Sequence, residues 1–193
     1  FDAVISTIPL PEMARSCVNL PSGVRSAASA LRWVKVLCVN LGVRDPAATH
    51  GHWVYVPERA YPFFRAGFLS NVSAAGAPER CASVYVETSF PSGARVDVGK
   101  EVRKATEGLR RMGVIPPGRK PEIVEPVLLD PAYVVFDHYR DAAVRRVREH
   151  LREKGAFTAG RYGAWDYNGM EASMADGIRA ARDAIRKVRG SSA

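Results

Sequence analysis

Residues 160–171, Gly-Arg-Tyr-Gly-Ala-Trp-Asp-Tyr-Asn-Gly-Met-Glu, gather the densest set of groups able to do chemistry in this 193-residue chain. Arg161 brings a permanent cation whose forked donors suit a phosphate or another oxyanion. Trp165 and Tyr167 bring aromatic faces with a hydrogen-bonding edge. The glycines at 160, 163 and 169 let backbone come close to a ligand. Directly afterwards Met170, Met174, Ile178, Ala181, Ile185 and Val188 recur at helical spacing, opposite Arg179, Arg182, Asp183, Arg186 and Lys187. The spacing predicts a helix to about residue 188, capped by Asn168, with Glu171 reaching back to the cap amide. Its N-terminal amides and dipole would favour an electron-rich oxygen or a phosphate.

Elsewhere the candidates thin out. Arg65 follows the aromatic run Pro62-Phe63-Phe64 and Glu87 lies in an extended segment, so the two read either as a substrate contact or as a structural ion pair. His50, His52, His138 and His150 lack metal-ligand spacing. His50 and His52 would share a strand face, but no carboxylate or cysteine completes a set, and no metal is expected. Neither a nucleophile elbow nor a Ser-His-Asp or Cys-His arrangement is present, which ranks hydrolysis low. Cys17, Cys38 and Cys81 are odd in number and far apart, suggesting no disulfide framework and a reducing, cytoplasmic setting. The formal charge of +8 is spread over predicted helix faces with acids between, and aromatics do not interleave with the basic residues, so nucleic acid is an unlikely partner. No apolar run approaches the roughly 18 residues that span a bilayer, and no membrane partner is expected.

The elements that must carry these residues follow from periodicity and punctuation. Residues 3–8 read as a buried-type strand stopped by Pro9 and Pro11. Short helices are expected at 12–17 and 22–30. Residues 33–41 form a strand covered on both faces, and 52–56 resume extended structure after a polar turn. Residues 71–78 read as loop, and 81–90 as a half-buried strand. Asp97 caps a helix with Val98, Val102, Ala105, Leu109 and Met112 on one face, ended by Gly113. Residues 122–129 form a strand that Pro126 breaks or confines to an edge, and 133–136 a separate short one. Asp137 then caps a helix with Ala143, Val144, Val147 and Leu151 inward, and Gly155 ends it before a strand at 156–159. The class is α/β, mixed α+β: a mixed or antiparallel sheet with flanking helices.

The segment at 160–171 with the downstream Asp176-Gly177-Ile178-Arg179-Ala180-Ala181 resembles the C-terminal flavin-contacting segment of the FAD-dependent amine oxidase-like family. The branch it is most similar to includes UDP-galactopyranose mutase and protoporphyrinogen oxidase-like proteins. Phe1-Asp2-Ala3-Val4-Ile5-Ser6-Thr7-Ile8-Pro9-Leu10-Pro11 resembles the strand and turn by which that family leaves its flavin domain. His52-Trp53-Val54-Tyr55-Val56-Pro57-Glu58, Pro62-Phe63-Phe64-Arg65 and Ala132-Tyr133-Val134-Val135-Phe136-Asp137 resemble its substrate-domain segments.

The resemblance implies residues 1–10 as a flavin-domain strand, 11–154 as the substrate-binding domain, and 155–193 as the flavin-contacting loop and C-terminal helix of a Rossmann-like FAD domain. It implies FAD as cofactor, Arg161 as an active-site arginine, and Gly160, Arg161, Gly169, Met170 and Glu171 at the flavin. It places Tyr133, Tyr167, Trp165 and Arg65 toward a small-molecule substrate, an amine or a nucleotide-sugar whose diphosphate the tyrosines would meet. The mutase pattern carries an aspartate at the position of Gly169 and a proline at that of Val134, which favours oxidoreductase over isomerase chemistry. No Gly-x-Gly-x-x-Gly unit is present and the chain opens without methionine, so an N-terminal FAD-binding half is expected, from the same precursor or as a separate chain. The competing class is a non-catalytic module that binds a partner or polyanion.

Overall fold

The computed structural model describes residues 1–46 and 51–190; the His50 expectation lies outside them. In chain order the elements are β1 (Val4–Ser6), α1 (Leu10–Arg15), α2 (Ser22–Ala30), β2 (Trp33–Arg44), β3 (Trp53–Tyr55), β4 (Arg65–Phe68), α3 (Leu69–Val72), β5 (Cys81–Pro91), α4 (Val98–Arg111), β6 (Ile123–Val134), α5 (Arg140–Glu153), β7 (Ala156–Thr158), α6 (Gly160–Gly163) and α7 (Met170–Gly190), with one 3-10 turn at Ala74–Gly76. They form two compact units, Val34–Ala132, and Phe1–Trp33 with Tyr133 onward. The division falls at 33/34 and 132/133, and α1, α2 and α5 belong to the unit that holds both chain ends.

The central unit is a five-stranded sheet in the order β3-β4-β5-β2-β6 with α4 against one face. β2 and β5 pair antiparallel from Val34 opposite Pro91 to Arg44 opposite Cys81, and β4 and β3 continue the antiparallel sheet. β6 borders β2 in the opposite sense, since Glu122 N–H donates to Gly42 O (2.8 Å) and Val135 N–H to Arg32 O (2.9 Å). Alternation puts Leu37, Val39, Leu41 and Val43 on the face shared with Ala66, Phe68, Val84 and Val86, and these bury against Ala105 and Leu109 of α4. Asp97 caps α4 as its sequence predicts, its Oδ1 accepting Lys100 N–H at 3.0 Å, and Gly113 follows it with φ +80°.

Two expectations for this unit change. Residues 122–129 and 133–136 are not separate strands: β6 runs unbroken through Pro126 and Pro131. It lies at the sheet edge, where a missing N–H need not interrupt a neighbour on both sides. The stretch 71–78 is not plain loop, for it holds the end of α3 and the 3-10 turn.

In the terminal unit β1 and β7 pair in parallel, Val4 opposite Ala156 and Ser6 opposite Thr158, so the two ends of the chain meet in one layer. Leu10, Ala14, Val24 and Leu31 pack with Val144, Val147, Leu151 and Trp165 into one core, and the expected inward face of α5 is the buried one. α7 corrects the sequence reading. Its buried residues are Asp176, Ala180 and Ala184, the two alanines lying against Phe157 and Ala159, whereas Met170, Met174, Ile178 and Ile185 are exposed. Small residues at four-residue spacing bring the helix axis close to the strands, and the larger apolar stripe is left uncovered by the described residues.

Candidate functional site

Beyond β7 the chain turns sharply twice. Gly160 has φ +77°, a conformation that a side chain disfavours, and its N–H donates to Asp176 Oδ2 at 2.9 Å. α6 then passes so near the end of β1 that a Cβ on Gly163 would stand 2.8 Å from Ser6 O. Trp165 takes φ +55°, is 0% exposed, and meets the Trp33 ring edge-on at 5.8 Å and 88°. Arg140 fastens this turn from α5: its Nη2 donates to Trp165 O and to Asp166 Oδ1 (3.2 Å), and its guanidinium covers the Phe136 ring at 4.5 Å.

The second turn is closed by Arg161, whose Nε and Nη2 donate to Asn168 O at 3.0 and 2.8 Å. The same guanidinium lies 4.7 Å over the Tyr167 ring, and Tyr167 lies 5.6 Å from the Tyr133 ring. Arginine and two tyrosines thus form one continuous stack, with Tyr167 60% exposed. Cation and π-faces together suit a phosphate or a planar, electron-rich ring. Asn168 O takes two of the five guanidinium N–H groups, and the other three have no partner among the described residues.

The helix start differs in detail from the sequence expectation. The first backbone bond of α7 is Ser173 N–H to Gly169 O (3.0 Å), which puts Gly169 at the cap. Asn168 instead accepts from the Ser173 hydroxyl at 3.0 Å, and no capping box forms with Glu171. The amides of Met170, Glu171 and Ala172 consequently have no acceptor within the helix. Met170, at 86% exposure, stands beside them in the open, and a Cβ on Gly169 would meet nothing among the described residues. Gly169 does not take a positive φ.

The structure therefore brings Arg161, Tyr167, Tyr133, Gly169, Met170 and Glu171 together at one place. Gly160 and Trp165 belong to the support beneath: the Gly160 amide is committed to Asp176, and Trp165 is core. Asp176 and Arg140 were missed by sequence reasoning. The row Asp176, Ala180 and Ala184 at four-residue spacing is the sequence signal that marks the buried face of α7 and the carboxylate on it.

Arg65 lies in the central unit. It pairs with Glu87, directly opposite on β5, and its guanidinium rests 5.6 Å from the centre of the Tyr85 ring. That ring occupies the place of a side chain at Gly67, where a Cβ would fall 2.0 Å from it. Beside the pair, Cys38 opposes Glu87 on β2. Burial pushes its thiol pKa up, and the Glu87 carboxylate pushes the same way against the opposing pull of Arg65. Below that raised value the thiolate is scarcer than for a free cysteine, so Cys38 is expected to alkylate with iodoacetamide more slowly than a small thiol between about pH 8 and 9. Glu87→Gln should restore part of the rate. Alkylation as fast as the free thiol would contradict this account. Among the described residues no group of three or more His, Cys, Asp or Glu side chains could hold a metal, and no helix is long and apolar enough to cross a membrane.

Neither a protein-family model nor a curated protein sequence matches the chain. Among solved structures, a reduced UDP-galactopyranose mutase superposes with TM-score 0.78 at 22% identity over 86% of this chain and 37% of that one. A putative protoporphyrinogen oxidase from Exiguobacterium gives 0.67 at 15% identity, over 96% of this chain and 41% of that one. A CLA-producing fatty acid isomerase from P. acnes gives 0.62 at 14% identity, over 94% of this chain and 41% of that one. The chain has the fold these enzymes share, and it spans about two fifths of their length.

Proposed function

We propose that the chain supplies the substrate domain and part of the flavin site of an FAD-dependent oxidoreductase of the amine oxidase-like group. The observation that carries this reading is the loop at 160–169, closed by Arg161 on Asn168 O, which sets the unpaired amides of Met170 and Glu171 beside the Arg161–Tyr167–Tyr133 stack. Those donors fit the carbonyl edge of a flavin ring system. Fixed amides and a helix dipole stabilise negative charge there without having to reorient. Gly169 leaves the approach open. When bound, the flavin would supply the electron-pair acceptor. The chain's own part is to orient the ring, lend it positive potential, and hold a small-molecule substrate against Tyr167 and Tyr133. Arg65, within the central unit, is a proposed substrate contact by itself, and Trp165 supports the loop.

The partner in this reading is an N-terminal FAD-binding half, in a cytoplasmic protein. Two features support it. β1 pairs on one side only, with Val4 and Ile5 at 47% and 45% exposure, and α7 leaves its apolar stripe open. A lone two-stranded parallel ribbon is marginal until further strands and a cover are added. A second reading, mutase-like isomerisation of a nucleotide-sugar with reduced flavin, is favoured by the arginine–tyrosine stack, which suits a diphosphate.

The test is co-expression with the proposed half and recovery of a yellow complex. A colourless complex of two folded partners refutes the reading, and turnover of a UDP-sugar without an electron acceptor selects the second one. Gly169→Ala sharpens the experiment. Nothing among the described residues opposes a methyl group there, and replacing glycine by alanine at a helix cap costs about 0.5–1 kcal/mol, so the melting temperature should fall by no more than about 4 °C while flavin retention falls. A large loss of stability with retention intact would make Gly169 a folding position only.

A further inference from the structure

The outer edge of β7 borders a cavity of about 90 Å³ that the loop at 160–169 does not use. β7 turns one edge to β1, where Val4 N–H donates to Gly155 O and Ala159 N–H to Ser6 O, both at 3.0 Å. In a parallel pair the amides and carbonyls of the intervening residues, Ala156 and Thr158, point the other way, toward the cavity. Arg148 and Arg152 of α5 and Arg179 of α7 line it, together with Asp176 and Asp183. Both acids already hold partners: Arg179 Nη2 donates to Asp176 Oδ1 and Arg152 Nη2 to Asp183 Oδ2, each at 3.0 Å. Arg148 has no carboxylate among the described residues and makes one long bond, 3.4 Å, to Thr158 O. The cavity therefore carries one cation in excess, with backbone donors on its wall.

We propose that this cavity binds a small oxyanion of the phosphate type, held by Arg148 with help from Arg179 and the edge amides of β7. Its volume takes a tetrahedral oxyanion and not a nucleotide. Arg148 and Arg152 also border a more open depression along α5 with Arg140, Arg145 and the acids Asp141 and Glu149, four cations to two anions, over which the rest of a larger phosphorylated ligand would lie. A guanidinium binds such an anion through paired, charge-assisted hydrogen bonds, which is the geometry a forked donor offers.

Calorimetric titration of sodium phosphate into the purified protein, in a buffer free of other oxyanions and against sodium chloride of equal ionic strength, tests this directly. One saturable site is expected. Arg148→Ala should weaken it roughly 10-fold or more, the worth of a charged hydrogen bond. Arg103→Ala, on the exposed side of α4 and outside both the cavity and the depression, should leave it unchanged, and circular dichroism of both variants checks the fold. If Arg148→Ala does not fold, Arg148→Lys serves, and a weakening of the site there still supports the assignment. The same titration with adenosine monophosphate separates the sources: tighter binding than inorganic phosphate marks a phosphate carried by a larger molecule, and equal or weaker binding marks the free anion. Heat no different from the chloride control, or an Arg148→Ala variant that binds as well as the parent, overturns the proposal.

Discussion

Trp165→Ala should cost about 3–5 kcal/mol, the range for emptying a buried aromatic site. The indole is fully enclosed between α1, α2 and α5 and abuts Trp33 edge-on, so little can move in to fill the space. Alanine keeps a Cβ at φ +55° and thus relieves none of the backbone strain. The loss is one of packing, because Trp165 Nε1–H is buried without a partner among the described residues and its removal breaks no hydrogen bond. For a chain of this size that corresponds to a drop in melting temperature of about 6–20 °C. Trp165→Phe should cost much less, since it retains most of the volume and removes the orphan donor. Chemical denaturation followed by circular dichroism reads both. A loss below about 1 kcal/mol for the alanine variant would mean that the core around 165 collapses freely, contrary to the packing described.

The second large effect is expected at Arg161. In the flavoprotein proposed above, once reconstituted, Arg161→Ala should lower turnover roughly 10- to 150-fold, the worth of a charge-assisted hydrogen bond of about 1.5–3 kcal/mol. The guanidinium does two things that substitution can separate. It closes the turn through two bonds to Asn168 O, and it offers a cation on the Tyr167 face. Lysine keeps the cation and loses the fork. If charge matters most, Arg161→Lys recovers part of the activity of the parent. If closure matters most, lysine is as poor as alanine and both raise KM, as Tyr167 and the helix start drift from their places. A variant that melts several degrees lower yet turns over normally per bound flavin would make Arg161 purely structural.

How far the sequence alone reaches can be judged element by element. α4 and α5 are legible because apolar spacing and the buried face agree, with a capping aspartate before α4 and a terminal glycine after α5; the Asp137 cap expected for α5 does not form, since Tyr139 stands at its N-cap and Asp137 Oδ1 accepts the Tyr139 N–H instead. β6 is harder to read, since two prolines that punctuate most strands are harmless at a sheet edge, and edge position is a tertiary fact. Periodicity places the apolar stripe of α7 correctly along one face. It does not say which face this chain itself covers, and Ala180 and Ala184 take that role because small residues permit close approach to β7. At the site, the residue types and their grouping are visible from composition and resemblance. The closure of Arg161 on Asn168 is not, because it depends on a tryptophan holding a left-handed backbone that no residue preference would assign to it.

The Tyr85 ring lying where Gly67 has no side chain couples two positions on neighbouring strands into a single shape. Neither can change alone at low cost: any residue larger than glycine at 67 drives the ring off its seat, and a small residue at 85 leaves the strand backbone bare and the Arg65 guanidinium without its aromatic rest. Mutational drift on this sheet must therefore pass through paired exchanges. Across homologous sequences, residue size at 67 and ring content at 85 should vary as one inherited character rather than two.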